Sequence, residues 1–274
     1  MVSRKPRSFI RKGQMIMTLA PERFVAWLTN NNHVDKILGH TYRYHSRSDR
    51  HSKAISSFIL HDIIQICKTL EQQARDGKVV YKINFPYLWT NSSKKKTIDL
   101  ALGTRKDRES PYTLSDTIQE GLIGRVLISV EAKSTMTEHA KSQPRMFDEL
   151  SSSYGIVHDG DNEAIAAGVA VINIADRFVS PLRQKIPNEP LVWTTHKQPH
   201  AAKSMIWHLR SLPIRESTAD KGFDAFTTIV IRCDNQNEAT LWTDQPAPQP
   251  GERDHYATFL QSIAKAYEER FAAL

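Results

Sequence analysis

Two short runs, each apolar on one side and acidic on the other, constrain this chain more than any other feature. Val126-Leu127-Ile128-Ser129-Val130-Glu131-Ala132-Lys133 reads as a β-strand. Side chains alternate between the faces of a strand, so Val126, Ile128, Val130 and Ala132 share one face, and Leu127, Ser129, Glu131 and Lys133 share the other. Upstream, Thr97-Ile98-Asp99-Leu100-Ala101-Leu102-Gly103 reads as a second strand, with Asp99 on the face away from Ile98, Leu100 and Leu102. If the two strands are neighbours, Asp99, Glu131 and Lys133 converge. Two carboxylates suit a hard divalent cation, and a lysine beside them can hold a water or a phosphate. An ion pair at a sheet edge is the structural alternative.

Asp99 followed by Glu131-Ala132-Lys133 resembles the active-site signature of the PD-(D/E)XK nuclease superfamily, whose largest class is the type II restriction endonucleases. The usual proline before the first acid is replaced by Ile98. Asp76-Gly77-Lys78 has similar letters, but it reads as a turn and has no strand-borne acid before it. The resemblance covers the middle third of the chain. It implies an α/β fold with a restriction-endonuclease-like core, a central mixed β-sheet flanked by helices and carrying DNA-reading insertions. It also implies Mg²⁺, with Mn²⁺ as a substitute, held by Asp99, Glu131 and the Ala132 carbonyl. Lys133 would then orient or help deprotonate a water, or stabilise the charge that develops at phosphorus.

The chain has 37 Lys and Arg against 30 Asp and Glu, a formal charge of +7, which suits a polyanionic partner. Double-stranded DNA is the expected partner, and a two-fold DNA site favours a homodimer by analogy. Only Cys67 and Cys233 are present, with no CxxC pair, which argues against a structural zinc site or a disulfide framework. No apolar run is long enough for a bilayer, and Met1 to Gly13 lacks the apolar centre of a signal peptide, so a cytoplasmic location and no membrane are expected, and the resemblance implies a prokaryotic cytoplasm. Walker, G-x-S-x-G and dinucleotide motifs are absent from the sequence.

Along the chain, the pattern predicts one nuclease domain over 1–274: a helical and basic segment (1–51), a catalytic core (52–175), and DNA-reading segments with a C-terminal helix (176–274). Pro21 to Thr29 reads as a helix. The stretch His40 to His51 interleaves basic and aromatic residues, and Arg43, Arg47, Arg50 and the nearby Lys53 are candidate DNA contacts or a solvated loop. Ile55, Phe58, Ile59, Ile63, Ile66 and Leu70 predict one helix over Ser52 to Arg75. On its flank Asp62 is a candidate accessory acid, the alternative being a hydrogen-bonded structural aspartate. A hairpin loop at Asn91 to Lys96 carries Lys94, Lys95 and Lys96, to meet a DNA backbone or solvent.

Thr135 and Glu138 have capping-box spacing, which predicts a helix from there toward Leu150 with a kink at Pro144. Its Lys141 and Arg145 are further DNA candidates. Ala166 to Ile174 and Phe226 to Arg232 read as strands. The proline-rich stretch between them contributes Lys197 and Lys203, within a base-reading candidate His196 to Arg210. Gln245 to Gly251 reads as a stiff linker, and His255 to Ala273 as a helix whose aromatic stripe is core or dimer surface. The function expected from all this is a Mg²⁺-dependent, sequence-specific DNA endonuclease. The alternatives are a structure-selective repair, recombination or transposon-end nuclease of the same fold, and a non-catalytic DNA-binding protein.

Overall fold

A computed structural model describes residues 18–88, 95–106, 117–187 and 189–274. The elements follow the hydrophobic pattern closely. Helix α1 (Ala20–Asn30) has Pro21 and Glu22 in its first turn, both favoured there, and buries Phe24, Val25 and Leu28. A small hairpin, β1 (His33–Asp35) and β2 (His40–Tyr42), leads to α2 (Arg50–Ile66) and α3 (Lys68–Arg75). The single long helix expected over Ser52 to Arg75 is broken at Cys67, whose backbone is extended (φ −99°, ψ 96°). The break lets Gln73 reach the C-terminal helix, where it donates to the Phe271 carbonyl (2.9 Å) and accepts from the Tyr267 hydroxyl (2.5 Å).

Strands β3 (Val79–Leu88), β4 (Lys95–Arg105) and β5 (Ile123–Thr135) follow, then α4 (His139–Gly160) and β6 (Ile165–Asn173). The hairpin β7 (Arg177–Val179) and β8 (Trp193–Thr195), helix α5 (His200–Leu209), β9 (Ala225–Arg232), β10 (Thr240–Leu241) and α6 (Tyr256–Phe271) complete the order. Six strands form one mixed sheet in the order β10-β9-β6-β5-β4-β3. Strands β3, β4 and β5 are antiparallel, β5, β6 and β9 are parallel, and β10 is antiparallel to β9. Helices cover both faces. Residues of α1, α2, α3 and α6 pack on one side, against Leu100, Leu102, Ile128, Val130 and Val169. Residues of α4 and α5 pack on the other, against Ile98, Ala101, Ala166, Ala170 and Phe226. The central strands are therefore buried almost continuously, as expected of a sheet covered twice.

Three local expectations are corrected. Strand β5 does not end at Lys133 but continues to Thr135, which pairs with Ile172. Helix α4 therefore starts at His139 and runs to Gly160, through Pro144; Glu138 lies outside it at φ 57° and pairs with Arg183 instead of closing a capping box. Residues Gln245 to Gly251 pack back on the body and are not a linker: Ala247 is buried, and Gln249 donates from its side chain to the Thr243 and Ala247 carbonyls. The aromatic stripe of α6 belongs to the core. Among the described residues, no helix is long and apolar enough to cross a membrane.

Candidate active site at the splayed end of β4 and β5

The β3–β4 ladder pairs Ile83 with Leu100 and Phe85 with Ile98, but it skips the pair between them, Asn84 and Asp99. Asn84 has a left-handed backbone (φ 54°), a conformation that asparagine tolerates better than most residues. On the other side, the β4–β5 ladder pairs Leu100 with Val130 and stops there. The strand turns over at this point: Leu100 and Leu102 pack under α2 and α6, while Ile98 packs under α4. The expectation that Ile98, Leu100 and Leu102 share one face is thus overturned, and Asp99 sits at the inversion.

The Asp99 side chain fills the gap left by the parted strands. Its Oδ2 accepts the Ala132 N–H at 2.9 Å, a bond that the β4 backbone would otherwise make. In an extended strand a residue's N–H and C=O point to the same neighbour. The Ala132 carbonyl therefore also faces the Asp99 side. One residue along, Glu131 is 5% exposed and lies beneath α4. Its Oε1 takes Lys133 Nζ at 2.8 Å and stands 3.7 Å from Lys96 Nζ, while its Oε2 is buried without a hydrogen-bond partner. Lys133 also approaches Glu149 of α4 at 3.8 Å, and Glu149 in turn pairs with Arg145 at 3.4 Å. A chain of alternating charges thus runs from the buried Glu131 to the surface.

Apolar surroundings create the charge state. Gly168 of β6 pairs with Glu131, and a Cβ there would meet Phe226 at 2.8 Å and Phe223 at 2.9 Å. Only glycine lets those rings close over the sheet beside the carboxylate. Burial, followed by the Glu131 charge, pushes the Asp99 carboxyl up to about 6. Burial opposes the charge on Lys133, but Glu131, Asp99 and Glu149 outweigh it and hold its ammonium above the ordinary lysine range. For Lys96 burial wins, and its affinity for a proton is lowered.

The donor set of Asp99, Glu131 and the Ala132 carbonyl is all hard oxygen, and Glu131 Oε2 is a buried acceptor with no donor. That combination fits Mg²⁺ or Mn²⁺, which are bound by one or two carboxylates and otherwise keep water or phosphate. Among the described residues, no three His, Cys, Asp or Glu side chains gather as a ready metal cage.

No family model, curated protein or solved structure matches this chain.

The other candidates fall into three groups. Asp62 is not brought to the site. It is fully buried under α1 and α6, where it accepts from the Ala20 N–H (2.7 Å), the Tyr256 hydroxyl (2.8 Å) and Arg23, the arrangement of a hydrogen-bonded structural aspartate. Arg43 donates to Asn32 Oδ1 (2.7 Å), Lys53 pairs with Asp49 (2.5 Å), and Arg145 belongs to the charge chain above. Arg47, Arg50, Lys141, Lys197 and Lys203 are exposed, with no ion-pair partner among the described residues. Lys94 and the Lys95 side chain lie outside the described residues. Lys96, expected at a loop tip, lies on β4 and points inward to Glu131 and Ser153. Lys96, Glu149 and Ser153 are the residues of the site that sequence reasoning missed. Period-two spacing puts Lys96 with Ile98 on the face away from Asp99, so the alternation held no signal for it.

Proposed function

We propose that this chain is a divalent-metal-dependent endonuclease of the PD-(D/E)XK type, hydrolysing phosphodiester bonds in double-stranded DNA at a specific sequence, as a type II restriction enzyme does. One observation carries the reading: Asp99 reaches across the parted strands to the backbone of Ala132, between Glu131 and Lys133. The element order α2, α3, β3, β4, β5, α4, β6, with the acid on the second of these strands and Glu-x-Lys on the third, fits the resemblance. A cation bound to Asp99, Glu131 and the Ala132 carbonyl would supply Lewis acidity toward the phosphate and acidify a water. Lys133 remains an ammonium at neutral pH because three carboxylates support it. It therefore acts as a donor that orients the water or neutralises charge in the transition state, not as a base. The segment carrying Arg47 and Arg50 adjoins the site, since the Tyr44 hydroxyl bonds Ser134 Oγ (3.0 Å), one residue past Lys133. Those arginines are the candidates for contacts to phosphates beside the scissile bond. A homodimer, cutting one strand per subunit, is part of the same proposal.

A structure-selective nuclease is the second reading, and a specific observation favours it. Much of His196 to Arg210 is spent on packing: Ala202, Met205, Ile206 and Leu209 are buried, and Arg210 pairs with Asp254 and Glu252. Fewer side chains are then free to read bases. The test is digestion of long DNA with Mg²⁺ and sequencing of the ends, with Glu131→Gln and Lys133→Ala as controls that bind DNA but do not cut. Discrete fragments sharing one short motif support restriction. A smear, or cuts only at branches, supports the second reading. Cutting by both controls removes the site from the mechanism.

A further inference from the structure

Lys96 presents an unusual arrangement. It is the second residue of β4, three residues before Asp99, and its side chain is only 20% exposed. Its Nζ is held by Ser153 Oγ of α4 on one side and stands 3.7 Å from Glu131 Oε1 on the other. Lys133 already occupies that same oxygen at 2.8 Å. Lys96 therefore adds no close hydrogen bond to Glu131. What it adds is a second positive charge. Asp99 and Glu131 carry two formal negative charges, and Lys96 and Lys133 carry two positive ones, so the buried group is neutral as it stands.

We propose that Lys96 is an internal counter-ion that stands in for the divalent cation at Glu131 and lets go of it when the cation binds, which sets the strength of metal binding. The proposal rests on the metal site argued above. A divalent cation added to a neutral buried quartet would leave a net charge of +2 in apolar surroundings, which is costly. The lysine best placed to relieve this is the one with the longer contact and the alternative partner. Lys133 is the closer of the two to Glu131, at 2.8 Å against 3.7 Å, and is the less readily released. Lys96 can keep its hydrogen bond to Ser153 while its ammonium draws back from Glu131, in the small cleft beneath α4 that both side chains line. The device keeps two adjacent carboxylates compatible with a folded, metal-free protein, and it weakens metal binding in exchange.

The test is calorimetric titration of the purified full chain with Mn²⁺ alone and with Mg²⁺ alone, without DNA. Wild type is compared with Lys96→Met, Lys96→Gln, Lys96→Arg and Glu131→Gln. Lys96→Met and Lys96→Gln should bind Mn²⁺ tighter by about tenfold or more, since one charge near a dication is removed. Lys96→Arg, which keeps the charge, should bind as wild type does. Thermal melting without metal should fall for the two neutral variants and recover with Mn²⁺ more than for wild type. If the variant that folds best binds Mn²⁺ no tighter than wild type, while Glu131→Gln loses binding, Lys96 is not a counter-ion and the metal site stands. If wild type and both neutral variants bind no metal, or Glu131→Gln binds as well as wild type, the metal site itself is lost and the counter-ion with it.

Discussion

Removing the charge on Asp99 should make the metal-free protein more stable, although it destroys the proposed site. Asp99 titrates near 6 in the folded chain, against 3.8 for an ordinary aspartate. The cause is burial first and the Glu131 charge second. Between those two values the folded state holds a proton that the unfolded state has released. Stability is therefore highest below the unfolded pKa and is lost as pH rises through the folded one. At about 1.4 kcal/mol per unit, the ionised Asp99 costs roughly 3 kcal/mol at pH 8. The same linkage gives a cost of about 1 kcal/mol at pH 4.5, where wild type is mostly protonated at this site. Asparagine imitates the protonated acid, and its Oδ1 can still accept the Ala132 N–H. Asp99→Asn should thus raise the melting temperature by about 6–12 °C at pH 8, given roughly 2–4 °C per kcal/mol for a chain of this size. The gain should shrink to about a third of that at pH 4.5. The assay is thermal unfolding by circular dichroism in a chelator, across that pH range. An unchanged or lowered melting temperature at pH 8, or a gain independent of pH, would refute the argument that Asp99 is a strained carboxylate.

Three further substitutions separate structure from site. Asp62→Ala leaves the Tyr256 hydroxyl and the Ala20 N–H buried without an acceptor, and should destabilise by about 3–5 kcal/mol in urea unfolding; its Mn²⁺ affinity should be unchanged, and a lost affinity with unchanged stability would return Asp62 to the metal site. Lys141→Ala and Lys203→Ala remove exposed, unpaired cations, and each should weaken binding to all DNA sequences alike and reduce the slope of log K against log salt by about 1 if that residue meets a phosphate. Filter binding at several salt concentrations reads this, and an unchanged slope takes the residue off the interface.

The parts of this protein that were legible in the sequence are those fixed by a short period. Two-residue alternation gave β5, with Glu131 and Lys133 on one side of it, and helical spacing gave α1 and α6 within a few residues, and the start of α2 but not its break at Cys67. What stayed hidden depends on contacts between distant segments. Whether Asp62 is an accessory acid or a structural one turns on Ala20, Arg23 and Tyr256, which are up to 194 residues away. The start of α4 moved because Thr135 had a partner in Ile172, and pairing overrode a good local capping signal. The most consequential omission was the inversion at Asp99. A regular β4 would put Lys96 and Ile98 on the face of Leu100, away from Glu131. The skipped pair between Asn84 and Asp99 reverses that, and it brings Lys96 under α4. The irregularity that parts β4 from β5 and admits the Asp99 carboxylate is thus also what carries a second lysine to Glu131. A substitution that restored a regular ladder at Asn84 would disturb both at once, since the acid and its counter-ion share a single bend of the chain.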